Sequence, residues 1–192
     1  MEKLNRGRTA VLSLDVQNDL VEVTPGLAEL GTMDHIERLL TRAREADVVV
    51  MHVTASVRPD YRDIPGRNPL WLMVRKQGLM KIGTPGAEIH PQAAPRPEEL
   101  VFNKSCVDPF LTTGLGQALH NHDIDTVVLL GLWTNYVVEA TARHASDMGY
   151  SVFIVREACA SNNQQDNDFA FDRILPMIGN VVSIDEVIAA LE

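Results

Sequence analysis

Along this chain, short runs of aliphatic and β-branched residues alternate with stretches in which apolar residues recur every three or four positions. The runs are Thr9–Leu14, Val48–Val53, Leu100–Asn103, Thr126–Gly131, Ser151–Val155 and Asn180–Val182. Most are continuous rather than alternating with polar residues, which is the pattern of strands covered on both faces. Between the first two lies MDHIERLLTRAREAD, where Ile36, Leu39, Leu40 and Ala43 share one face, so the spacing predicts an amphipathic helix. A shorter helix is predicted around Leu115–His120. Another spans Asn135–Met148, ended by Gly149 where a helix needs a left-handed residue. Near the C-terminus, Ser183 and Glu186 have capping-box spacing ahead of Val187–Leu191. Strands alternating with helices predict a three-layer α/β/α fold around a six-stranded, mostly parallel sheet.

One segment breaks this rhythm. Ala55–Glu99 holds most of the prolines and several glycines and is too long for an ordinary connection. It carries Tyr61 and Trp71 with Arg58, Arg62 and Arg67, residues suited to covering a pocket and selecting what enters. A solvated loop packed by one aromatic fits the composition equally well. There is no internal repeat or linker, so a single domain over residues 1–192 is expected.

With 45% apolar and 22% charged residues, the chain can bury one sizeable core. Its net charge of −9 and the lack of a dense basic cluster argue against a nucleic-acid partner and for a small molecule. No run approaches the roughly 18 to 20 apolar residues of a membrane helix, so a soluble cytoplasmic protein without a membrane partner is expected. The two cysteines, Cys106 and Cys159, form neither a disulfide framework nor a four-ligand zinc pattern.

In open α/β sheets ligands bind beyond the carboxyl ends of the strands. Three features fall there: Asp15 after the first strand, Lys104 after the third, and GLWTNYVVEATARHA leading from the fourth strand into its helix. Singly, each has a structural explanation: a turn cap, a solvated lysine, an ordinary connection. Together they form an acid–base pair facing a helix N-terminus rich in backbone donors.

These features resemble the isochorismatase-like cysteine hydrolases. The matching segments are Asp15-Val16-Gln17, Lys104, Gly131-Leu132-Trp133-Thr134-Asn135-Tyr136-Val137-Val138 and Thr141-Ala142-Arg143. TPGAEIHP and DMGYSVFIVREACAS look like the amidohydrolase branch, which includes N-carbamoylsarcosine amidase. The resemblance implies catalytic roles for Asp15 and Lys104, an oxyanion site built from the backbone at Trp133 and Val137, and a cis peptide at Leu132–Trp133. It also implies a pocket including Gln17, Trp71, Thr134, Asn135 and Tyr136, and a homodimer or homotetramer. The family's nucleophilic cysteine maps onto Val137, which has nearly its volume but cannot ionise, attack or form a thioester.

Three readings of the missing thiol stand. The chain is an acid–base hydrolase without a covalent intermediate, as in relatives that hydrolyse the vinyl ether of isochorismate. Alternatively it is an amidohydrolase whose nucleophile has been replaced, or a non-catalytic binding or assembly homologue. Cys106, two residues beyond Lys104, is a candidate displaced nucleophile or, more commonly for such a cysteine, a small buried thiol. No cofactor is implied. Metal-binding relatives that hydrolyse nicotinamide carry an Asp-x-His pair where this chain reads His52-Val53-Thr54-Ala55, so no metal is expected. His120 and His122 read as solvated residues at a helix end.

Overall fold

The computed structural model describes residues 1–192. Six strands, β1 (Thr9–Leu14), β2 (Val49–Thr54), β3 (Leu100–Asn103), β4 (Thr126–Leu132), β5 (Ser151–Ala160) and β6 (Asn180–Val182), form one sheet in the order β3-β2-β1-β4-β5-β6. Every neighbouring pair is parallel, so the sheet is wholly rather than mostly parallel. The continuous apolar runs follow from helices on both faces. In β1, Val11 belongs to one core with Ile36, Leu39, Leu40, Val187 and Leu191. Its neighbours Ala10, Leu12 and Leu14 belong to another with Leu115, Leu119, Ala142 and Ala145. β4 divides in the same way, Val128 and Leu130 on one side and Val127 and Leu129 on the other.

The strand ends depart from the sequence expectation mainly in β5, which runs on from Val155 to Ala160. The register between β4 and β5 shifts between Leu129 and Gly131, after which Gly131 pairs with Cys159. Such an irregularity lets a strand continue through polar residues, here Arg156 and Glu157, that interrupt its apolar run. The helix predicted after the first strand is Thr32–Glu45. The last helix, Ile184–Leu191, has the expected reciprocal cap between Ser183 and Glu186.

The long segment before β3 contains a helix, Pro69–Gln77, that periodicity did not single out. Its signals are local: the Asn68 side chain accepts from the Leu70 amide at 3.0 Å, Pro69 opens the first turn, and Gly78 closes the helix in the left-handed region. The helix expected over Asn135–Met148 divides into a wide π-type turn, Thr134–Val138, and an α-helix, Glu139–Asp147. Widened turns of this kind are frequent at functional sites. No helix is long and apolar enough to cross a membrane.

Candidate active site

β1 ends at Asp15, whose φ of 53° lies in the left-handed region that aspartate tolerates better than most residues. Its amide donates to the Val53 carbonyl at 2.9 Å, and the Lys104 amide donates to the Thr54 carbonyl at 2.8 Å. Because β1 and β3 flank β2, both residues are fastened to the end of that strand, and their side chains meet above it. Lys104 Nζ donates to Asp15 Oδ2 at 2.7 Å, with the side chains only 2% and 7% exposed. Burial pushes the Asp15 carboxyl above its ordinary range, and the Lys104 ammonium opposes that shift without cancelling it. The other oxygen, Oδ1, is buried and has no hydrogen-bond partner.

β4 delivers the opposite wall. Gly131 has φ 141°, and a Cβ there would lie 2.0 Å from the Leu14 carbonyl oxygen, so only glycine permits this approach of β4 to β1. The Leu132–Trp133 peptide is cis, at the bond the family resemblance implied. The turn that follows is braced from outside. Trp133 Nε1 donates to Thr24 Oγ1 at 2.7 Å, and Thr134 Oγ1 donates to Asn167 Oδ1 at 2.6 Å. Asn135 Oδ1 accepts from Ser161 Oγ, and Thr141 Oγ1 donates to the Val137 carbonyl at 2.6 Å.

Asp15, Lys104 and Val137 line one cavity. Leu132, Trp133 and Tyr136 continue the β4 wall, while Leu70, Trp71, Val74 and Met80 from the long segment close the other side. The cavity lies at the carboxyl edge, between the ends of β1 and β4 where the strand order reverses. Leu70, Val74, Leu20, Ala55, Met80 and Val107 were missed by sequence reasoning. The first two sit within a turn of Trp71 on its helix and were recoverable from the Asn68-Pro69 start; Met80 and Val107 carry no local signal.

Three expected pocket residues do not line the cavity. Gln17 is turned away because its amide is fully engaged. Its Nε2 donates to the Ala87 carbonyl at 2.7 Å and to Ser56 Oγ at 3.0 Å, and its Oε1 accepts from the Ala55 amide at 2.7 Å. Thr134 and Asn135 are held by the contacts to Asn167 and Ser161 and brace the turn from behind. In the long segment, Arg58 and Arg62 pair with Asp60 in solvent, Arg67 is exposed, and the Tyr61 hydroxyl donates to the Leu79 carbonyl at 2.8 Å. None of the four lines the cavity.

Cys106 is not in the cavity lining either. β3 ends at Asn103, so the alternation that would put Cys106 on the face of Lys104 is lost. Its Sγ donates to the Asp108 carbonyl at 2.9 Å and lies 3.2 Å from Thr112 Oγ1. Cys159 is buried, and burial pushes its thiol up to about 12. His52 lies 3.0 Å from Glu99 rather than in the cavity. No three His, Cys, Asp or Glu side chains are grouped so as to hold a metal ion.

A parallel doubly wound sheet with a buried carboxylate–lysine pair in a cleft at its switch point defines an α/β protein with a candidate ligand site at its carboxyl edge. Residues 9–186 match the isochorismatase domain, and the chain belongs to that family of hydrolases. It is 29% identical to maleamate amidohydrolase of Pseudomonas putida over 199 residues, covering 99% of this chain and 90% of that protein. It is 31% identical to streptothricin hydrolase of Streptomyces noursei over 153 residues, covering 79% of this chain but 49% of the relative, so it spans about half that protein's length. A solved structure of an isochorismatase family protein from Desulfovibrio vulgaris superimposes with a TM-score of 0.83 at 27% identity, covering 96% of this chain and 100% of the other.

Proposed function

We propose that this chain hydrolyses a small activated substrate without a covalent enzyme intermediate, with Asp15 and Lys104 managing the protons. The observation that carries this reading is the unpartnered Oδ1 of Asp15, buried on a residue that lines the cavity while Lys104 holds Oδ2. As a carboxylate, Asp15 takes a proton through Oδ1 from water attacking an activated carbonyl carbon. Lys104 and the backbone donors between Trp133 and Val137 stabilise the charge that forms on oxygen. With a proton already on Oδ1, the same atom protonates a vinyl ether. The shift imposed by burial favours both roles, because it makes the carboxylate a stronger base and keeps the acid form to higher pH. Val137, at the position to which the family's cysteine maps, contributes shape and no nucleophile.

The near full-length likeness to maleamate amidohydrolase favours a second reading, an amidohydrolase disabled at Val137. Two variants separate the two. Asp15→Asn is expected to lower turnover of activated esters or enol ethers by about 10² to 10⁴. Val137→Cys is assayed for ammonia release from small amides and ureides. Full activity in Asp15→Asn, or an acyl adduct on Cys106 by mass spectrometry, overturns the non-covalent reading. Ammonia release by Val137→Cys alone establishes the disabled amidohydrolase.

A further inference from the structure

The cavity lined by Asp15, Lys104 and Val137 encloses only about 40 Å³. One water needs about 10 to 15 Å³ and an apolar cavity that takes up benzene has about 150 Å³, so this one holds a few waters and no organic substrate. Whatever binds beside Asp15 must first displace a wall. The two walls differ in what holds them.

The wall built on the sheet is fixed by backbone. β1 and β4 pair along their length, Asp15 and Lys104 are bonded to the end of β2, and the turn after β4 is tied to Thr24 and Asn167. The facing wall is the helix Pro69–Gln77, which supplies Leu70, Trp71 and Val74. Residues 65–78 form hydrogen bonds only among themselves and with the next residue, Leu79, and Arg67, Arg75 and Lys76 form no ion pair. Only Trp71 and Val74 of the helix are buried, so apolar contact alone seats it against the core.

The flanks of this segment are fastened. After it, the Tyr61 hydroxyl donates to the Leu79 carbonyl at 2.8 Å, the Met80 amide donates to Asp19 Oδ2 at 2.6 Å, and the Ile82 amide donates to the Val57 carbonyl at 2.8 Å. Before it, Ile64 is buried in the same core. Between flanks and helix lie Gly66, whose Cβ position has no atom within 4 Å, and Gly78, at φ 76°. Both positions can absorb a change in backbone direction.

We propose that residues 65–78 form a gate. The helix Pro69–Gln77 swings out about Gly66 and Gly78 to admit substrate, while residues 79–82 and the sheet stay in place, and it closes again through Leu70, Trp71 and Val74. The surface it presents is apolar, so closure favours substrates with an apolar group on that side. Opening exposes Trp71 and Val74 but leaves the packing of the sheet intact, so it costs far less than unfolding. The proposal rests on the cavity as the substrate site, but not on the chemistry proposed for it.

Two measurements on the full chain test the gate. The first is native-state hydrogen exchange followed by mass spectrometry. A nine-residue helix released from its core does not persist in water, so each opening exposes its amides. Peptides covering residues 70–78 are expected to exchange at least about 100-fold faster than those covering β1 and β4. Val74→Ala, which removes part of the seat, is expected to speed the helix peptides by about 5- to 50-fold. Val187→Ala, an equal loss from the last helix, is expected to leave them unchanged, because that packing survives opening.

The second measurement reads access to the cavity. Val137→Cys is treated with iodoacetamide, and alkylation at position 137 is followed by peptide mass spectrometry apart from that at Cys106. Adding Val74→Ala is expected to speed this labelling by the same factor as the exchange, and adding Val187→Ala is not. Helix peptides that exchange no faster than the strands, an equal response to the two alanine variants, or labelling at position 137 that ignores Val74→Ala overturns the gate. If Val137→Cys or Val74→Ala does not fold, exchange in the unmodified chain decides alone. Neither measurement reads turnover, so a fully active Asp15→Asn would remove the proposed mechanism and leave the gate standing.

Discussion

Two buried carboxylates in this molecule are held by cations, and they differ in what is left over. Glu99, just before β3, has both oxygens engaged. Arg44 Nε and Nη2 donate to its two oxygens at 2.7 and 2.8 Å, the Arg96 amide donates at 2.8 Å, and His52 Nε2 lies at 3.0 Å. Burial pushes its carboxyl up, but these partners outweigh burial and bring it down to about 2. Asp15 has one oxygen bound and one vacant, and its carboxyl is raised. An ion pair whose oxygens are both bound serves structure, whereas one that keeps an unpaired oxygen on a cavity-lining residue suits the proton-transfer role proposed for Asp15.

The largest expected effect sets activity at one site against activity at the other. Asp15→Asn should cost about 10² to 10⁴ in turnover, while Glu99→Gln leaves turnover unchanged. A comparable loss in both would break the distinction. Next comes stability. Lys104→Met strands a buried carboxylate and should cost about 3 to 5 kcal/mol in urea unfolding. Combining it with Asp15→Leu should restore most of that, because an apolar pair can replace a buried ion pair. A double variant as unstable as the single one would show that the fold needs the pair itself.

The pH dependences should have opposite signs. Glu99 has a depressed carboxyl, so its contribution to stability is full above its unfolded value near 4.5 and is lost as pH falls towards about 2. Asp15 has a raised one, so its contribution is full below its unfolded value near 3.8 and is lost as pH rises through its higher folded value. In unfolding measured across pH, Glu99→Gln should flatten the acid limb and Asp15→Asn should leave that limb in place.

Smaller still is the effect of thiol modification. Iodoacetamide at neutral pH should alkylate Cys106, which is partly exposed, and spare Cys159, whose thiol burial holds at about 12. Alkylated protein should keep its activity, as read by peptide mass spectrometry and assay on the same sample; inactivation in step with labelling would return Cys106 to the site. The smallest effect is expected at Arg38–Asp185, a solvent-exposed pair at 2.7 Å. Asp185→Asn should not change the melting temperature, since exposed pairs add little.

Much of the fold was legible because it is written in local periodicity. The strands of β1 and β3 were placed to the residue, and the capping box at Ser183 and Glu186 formed as read. Asp15, Lys104 and the turn through Val137 were also legible, because polar or glycine-rich punctuation at the carboxyl end of a buried strand has few structural uses. The helix Pro69–Gln77 was obscured by the prolines around it, although Asn68, Pro69 and Gly78 marked its ends. The extension of β5 depended on a register shift against β4, which no reading of β5 alone contains.

The sequence by itself determined the fold class, the polar strand ends at Asp15 and Lys104, and the absence of a thiol at Val137, since each rests on residue type and short-range spacing. Only the tertiary structure decided that β1 and β3 flank β2 and so join Asp15 to Lys104 across 89 positions of chain. It also turned Gln17 into a fastener, left Cys106 outside the cavity, and assembled Arg44, His52, Arg96 and Glu99 into one cluster. The reason is physical: which polar atoms find partners and which stay vacant is settled by groups far apart in sequence competing for the same hydrogen bonds, and local pattern carries no record of that competition.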